Sequence, residues 1–137
     1  MVVEFLYAFR TSGNLYLARS GNTNFLAPLM PARIESLLAM LERGQDSALL
    51  RFSLGNEYIN ADKYSLAINH LQCAVKLDAN YSAAWKLLGT ALANQNCITE
   101  AIQTYHQGIK IAETNGDYQS AKEMSVFLRR LEKIKNS

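Results

Sequence analysis

The sequence predicts an all-α fold, a solenoid of helix-turn-helix pairs, and two observations carry that reading. Residues 48–81, ALLRFSLGNEYINADKYSLAINHLQCAVKLDANY, align without a gap on residues 82–115, SAAWKLLGTALANQNCITEAIQTYHQGIKIAETN, so the chain repeats with a period of 34 residues. Leu54 falls on Leu88, Tyr58 on Leu92, Ala67 on Ala101, Leu71 on Tyr105 and Leu77 on Ile111. Small residues also recur in register, Gly55 on Gly89 and Ala74 on Gly108, within stretches of good helix formers. An interior glycine costs a helix about 1 kcal/mol relative to alanine, so each must relieve a close contact.

The first stretch, residues 1–29, carries five aromatics (Phe5, Tyr7, Phe9, Tyr16, Phe25) and neither lysine nor aspartate. VVEFLYAF and NLYLAR can pair as a hairpin, which is marginal alone in water. A poorly ordered tail is expected there, with a start of synthesis at Met30 as the sharper alternative, and the folded domain is expected to cover residues 30–137. A first helix is expected over about residues 31–43, with Pro31 at its first position, Ile34, Leu37, Leu38 and Leu41 on one face, and Gly44 as its stop. In each repeat a helix A (about 47–60 and 81–94) and a helix B (about 64–77 and 98–113) are joined by the polar turns NAD and NQN. Gly55 and Gly89 would meet the B helices, whose own small residues are Ala67, Ala74, Ala101 and Gly108. Leu54, Tyr58, Leu88 and Leu92 continue that buried stripe, and Trp85 fills the space between repeats. A last helix over 117–135 takes Asp117 as its N-cap and buries Ala121, Met124, Phe127, Leu128, Leu131 and Ile134. Repeat arrays need about three units and polar caps, which the two flanking helices supply.

A chain of 137 residues with 49% hydrophobic and 19% charged residues is one globular domain. The net charge of +2 is too small to imply a nucleic-acid or membrane partner. Arg129, Arg130, Lys133 and Lys135 lack the aromatic platform of a nucleic-acid site. Cys73 and Cys97 suit reduced thiols and a cytoplasmic setting. No run reaches the roughly 18 apolar residues of a membrane span, and MVVEFLYAFR lacks the basic leader of a signal peptide. His70 and Cys73 stand three apart, a spacing open to metal ligation, but His106 and Cys97 do not repeat it. Ordinary surface and core roles account for them equally well. Neither an oxyanion motif nor a phosphate-binding glycine loop is present, so no catalytic residue, metal site or cofactor is expected.

The repeat resembles the tetratricopeptide repeat family, with its 34-residue period and its pattern Trp-x-x-Leu-Gly-x-x-Tyr, then Ala-x-x-x-Phe, then Pro. Trp85, Leu88, Gly89 and Leu92 follow it in the second repeat; Leu54, Gly55 and Tyr58 follow it in the first, with Arg51 in the tryptophan position. Ala67 with Leu71, and Ala101 with Tyr105, complete it, while Ala79 and Glu113 replace the closing proline. The resemblance covers residues 48–115 and implies a concave groove, lined by the A helices, that holds an extended peptide or a partner helix. Its groove positions fall on Leu49, Phe52 and Asn56, then on Ala83, Lys86 and Thr90, with Asn60 and Asn94 a turn beyond. On the last helix the groove face is expected to hold Lys122, Ser125, Arg129 and Lys133. The expected binding set is therefore Phe52, Asn56, Asn60, Lys86, Thr90, Asn94, Lys122 and Arg129. Phe52 is read as an apolar anchor and Lys86, Lys122 and Arg129 as selectors of acidic groups, against the plain alternative of a solvated face. Family members that clamp a terminal carboxylate use lysine, asparagine and arginine where Phe52, Leu87 and Val126 stand here, which argues against that ligand. The implied function is a noncatalytic adaptor for a protein or acidic peptide. The alternative is a structural subunit that self-associates through its end helices.

Overall fold

The structure is a computed structural model that describes residues 6–11, 14–19 and 32–137. Strands β1 (Leu6–Thr11) and β2 (Asn14–Arg19) pair antiparallel, from Leu6 opposite Arg19 to Thr11 opposite Asn14. The expected start at Met30 and helix-opening Pro31 lie outside the described residues.

Among the described residues six helices follow: α1 (Ala32–Glu42), α2 (Ala48–Asn60), α3 (Tyr64–Leu77), α4 (Ser82–Asn94), α5 (Ile98–Thr114) and α6 (Tyr118–Lys135). Helices α2 and α4 are the A members of the repeats, α3 and α5 the B members. Each helix packs on its neighbour in sequence; α2 also touches α4, and α4 touches α6, whereas α3 and α5 do not pack on one another. Helices α2, α4 and α6 therefore form the tighter, inner row of the stack.

Four turns end their helices in the same way. Gly44, Asp62, Asn96 and Gly116 take positive φ of 84°, 58°, 66° and 77°. The next residue's N–H then returns to a carbonyl five back: Gln45 to Met40 at 3.1 Å, and Lys63 to Tyr58, Cys97 to Leu92 and Asp117 to Ala112 at 2.8 Å each. This closure satisfies carbonyls that the helix end leaves without partners. The turns NAD and NQN work because the short polar side chains of Asp62 and Asn96 tolerate the left-handed conformation. At helix starts, Ser47 Oγ accepts from Leu50 N–H at 3.1 Å. Asp117 accepts from Ser120 N–H at 3.2 Å and from the buried Ser82 hydroxyl at 2.7 Å, joining the beginnings of α4 and α6.

The core runs the length of the stack. Leu54, Leu71, Ala67, Ala74 and Ala101 are fully buried, and Tyr58, Leu88, Leu92 and Tyr105 nearly so. A Cβ on Gly55 would overlap Leu71, and one on Gly89 would overlap the Tyr105 ring. At Gly108 a Cβ would come within 2.7 Å of Met124 Sδ and 2.9 Å of Trp85 Cβ. Trp85 lies against its own repeat there, and its Nε1–H donates to the Ala79 carbonyl of the preceding turn at 2.9 Å, bridging the repeat junction. Ala121, Met124, Leu128 and Leu131 of α6 are buried as the stripe predicts, Phe127 is half-buried, and Ile134 is 58% exposed. The length of α6 explains Ile134: it has 18 residues against 13 in α4. With the N-caps Tyr81 and Asp117 aligned, Arg130 stands level with Asn94 and the remainder of α6 overruns the end of α4. Among the described residues no helix is long and apolar enough to cross a membrane.

Candidate functional site

The face of the inner row is set by what its helices bury. On α2, Leu54, Gly55 and Tyr58 turn into the core, which leaves Phe52 and Asn56, four residues apart, on a shared face beside it. Phe52 is half-buried, its ring centroid 4.9 Å from that of Tyr81 at the head of α4, in a tilted aromatic pair. Leu49, one turn earlier, is 65% exposed and presents more apolar surface than Phe52 does. Asn56 is half-buried and Asn60 exposed.

On α4, Lys86 reaches Glu123 of α6, Nζ to Oε2, at 2.8 Å. Glu123 also accepts from Gln119 at 2.8 Å, and these two donors, Lys86 first, hold its carboxyl below the usual range. Lys86, expected to select acids in a ligand, thus already has a carboxylate partner, because the packing of α6 on α4 brings Glu123 alongside it. Thr90 Oγ1 donates to the Lys86 carbonyl at 3.0 Å and sits 3.0 Å from the Tyr105 hydroxyl, tying α4 to α5. Burial pushes the Tyr105 phenol pKa up.

Where α4 stops and α6 continues, a cavity of about 410 Å³ opens. Its apolar wall is Ala93, Ile98, Tyr105, Phe127 and Leu131, with Ile134 among the α6 residues beyond α4. Phe127 leans on Tyr105 with ring centroids 5.9 Å apart. Its polar groups are Thr90, Asn94, Asn96 and Arg130.

Of the eight expected site residues, Thr90 and Asn94 line this cavity, while Phe52, Asn56 and Asn60 lie on α2, at the other end of the row. Lys122 and Arg129 are exposed on α6. Arg129 Nε lies 3.5 Å from the Ser125 carbonyl, and the side chain lines a shallow depression with Val126, Arg130, Glu132 and Lys133, not the cavity. Glu132 belongs to the same turn but lies against His106, Nε2 to Oε1, at 3.6 Å. Among the described residues no carboxylate pairs with Arg129, Arg130 or Lys133.

Sequence reasoning did not place Arg130, Phe127, Ile98 and Tyr105 at the site. A usable signal was present: Ser82 follows Ala48 by 34 residues, but Tyr118 follows Ser82 by 36, with α5 at 17 residues against 14 in α3. Counting from the N-cap Asp117, rather than by the period, sets Arg130 opposite Asn94.

His70 and Cys73 belong to a different arrangement. Arg51 forks onto Asp46, Nε to Oδ1 at 2.7 Å and Nη2 to Oδ2 at 2.8 Å, and its Nη1 lies 3.1 Å from His70 Nδ1. The His70 ring stacks on Tyr58, centroids 5.5 Å apart at 15°. Burial first, then the Arg51 charge, push the His70 pKa below its ordinary value. Arg51 thus occupies the tryptophan position of the repeat by cross-linking α2 to α3. Among the described residues no three His, Cys, Asp or Glu side chains gather as metal ligands would.

No family model matches the chain. A TPR repeat-containing protein of Pseudomonas aeruginosa is 47% identical over 102 residues, which is 74% of this chain and 97% of that protein. The solution structure of a Bordetella parapertussis protein superposes with a TM-score of 0.68 at 43% identity, covering 76% of this chain and 90% of that one. The second TPR domain of human RPAP3, solved in complex with the HSP70 peptide SGPTIEEVD, superposes with a TM-score of 0.62 over 72% of this chain and 78% of that one. At 24% identity that last likeness is one of fold.

Proposed function

The chain belongs to the tetratricopeptide repeat family, and from that premise we propose that its inner helix row docks a segment of another protein, making it an adaptor without chemistry of its own. The observation that carries this reading is the composition of the inner row. Exposed Leu49 stands on α2 at one end, and a cavity of about 410 Å³ with Asn94 and Arg130 at its edge opens between α4 and α6 at the other. Apolar contacts at both ends supply the binding energy, and the amides of Asn56, Asn60 and Asn94 hydrogen-bond the segment's backbone. Lys122 and Arg129 add long-range attraction for acidic groups, while Phe52 shapes the floor through its contact with Tyr81. In support, the human RPAP3 domain of the same fold is a complex with a peptide. A terminal-carboxylate clamp is not part of the proposal, since Phe52, Leu87 and Val126 stand where it needs polar and cationic groups.

The test is capture from an extract of the native cell on the immobilised chain, using the parent, the double variant Leu49→Glu/Asn56→Arg, and Gln72→Arg on exposed α3. A protein retained by the parent and by Gln72→Arg but lost from the double variant is the expected result. Equal retention by all three would place docking elsewhere.

A further inference from the structure

The cavity between α4 and α6 exists because α6 departs from the repeat: its 18 residues overrun the 13 of α4, and the turn into α5 closes the third side with Asn96 and Ile98. At about 410 Å³ it lies within the roughly 300–1,000 Å³ of ordinary ligand pockets, and its wall is aromatic and aliphatic. Cations outnumber carboxylates around it. Lys86 is matched by Glu123, and Glu132 lines the neighbouring depression with its Oε1 3.6 Å from His106 Nε2, whereas Arg129, Arg130 and Lys133 have no carboxylate partner among the described residues. Arg130 is common to the cavity and to the depression that Arg129, Glu132 and Lys133 line.

Resting on the docking function proposed above, we infer that this cavity receives one bulky apolar side chain of an acidic peptide segment, and that Arg130, flanked by Arg129 and Lys133, selects carboxylates adjacent to it. An apolar wall alone would accept any hydrophobic side chain. A guanidinium at its edge presents a planar fork that carboxylates fill, and a nearby low-dielectric wall strengthens that pairing relative to open water. Asn94 and Asn96 line the same cavity, and their amides would bond the segment's backbone beside the anchor.

The experiment titrates the full chain into the fluorescein-labelled peptide GSEEFEESG and into two controls, one with the phenylalanine replaced by alanine and one with all four glutamates replaced by glutamine. Each control should bind about tenfold more weakly or worse, as loss of an anchor or of several charges implies. Arg130→Gln should weaken the parent peptide about tenfold and flatten its salt dependence, and Arg130→Glu should weaken it further. Gln72→Glu, on the exposed face of α3, should leave this short probe's affinity unchanged. Backbone amide shifts on binding should centre on Asn94, Ile98 and Arg130. Equal affinity for the glutamate and glutamine peptides, no binding of the parent peptide, or shifts centred on Leu49 and Asn56 would each overturn the inference. The capture experiment on Leu49→Glu/Asn56→Arg decides the docking function separately.

Discussion

The ring of Tyr105 lies directly against the α-carbon of Gly89, leaving no room for a side chain between them. Leu71 stands in the same relation to Gly55 one repeat earlier, so the period of the sequence is the period of a single interhelix contact. Gly89→Leu should separate α4 from α5 at a cost of about 1–3 kcal/mol or more, and Gly55→Leu should do the same for α2 and α3. Exposed Gln103→Ala should stay within about 0.5 kcal/mol of the parent. Urea unfolding midpoints decide, and equal midpoints for the three variants would refute the repeat register.

Asp117 fastens the second repeat to the last helix, capping α6 while accepting the Ser82 hydroxyl of α4. Asp117→Ala should cost about 0.5–2 kcal/mol, in line with other lost N-caps. The Ser82 bond first, and then the Ser120 bonds, lower the Asp117 pKa. Its stabilising contribution is therefore complete above the unfolded carboxylate value of about 3.9 and is lost as pH falls through the lower folded value. Acid unfolding of parent and Asp117→Asn should differ in that window; coincident acid limbs would contradict the assignment.

His70 is held neutral by burial and by Arg51 at 3.1 Å, with Asp46 acting weakly in the opposite sense. Its folded pKa lies below the unfolded value of about 6.5, so its contribution is full above that pH and declines as pH drops toward the folded value, where the unfolded chain takes the proton first. His70→Phe can retain a stack on Tyr58 but removes the titration. The parent should lose stability as pH falls below about 6.5, and the variant should lose less; parallel denaturation midpoints would contradict this.

How far the sequence could be read differs between core and surface. Gly55, Gly89 and Gly108 announced close contacts because a helix tolerates interior glycine poorly without cause, and the structure finds Leu71, Tyr105 and Met124 at those positions. The buried stripes followed from helical spacing for the same reason. Site residues followed less well. The partner of Lys86 is Glu123, 37 residues away on a helix that keeps a different spacing, and no local pattern encodes that pair. Arg130 and Arg129 differ by 100° around a helix of 3.6 residues per turn, so choosing between them required the N-cap of α6 rather than the period of the repeat.

Removing residues 1–29 should leave helical content per molecule and melting temperature almost unchanged, because the buried apolar residues described here run from Ile34 to Leu131. Circular dichroism of the shortened chain checks this. A large fall in melting temperature would mean that the segment packs on the helices.

The row formed by α2, α4 and α6, and not the α3–α5 side, should meet the partner. Site-specific photocrosslinking in the native cell tests it most directly, with a benzophenone amino acid placed at Asn56 or Asn94 on the inner row, or at exposed Gln72 or Gln103 on the outer helices. One shared adduct is expected from positions 56 and 94 and none from 72 and 103. An adduct formed from positions 72 and 103 but absent from 56 and 94 would contradict it.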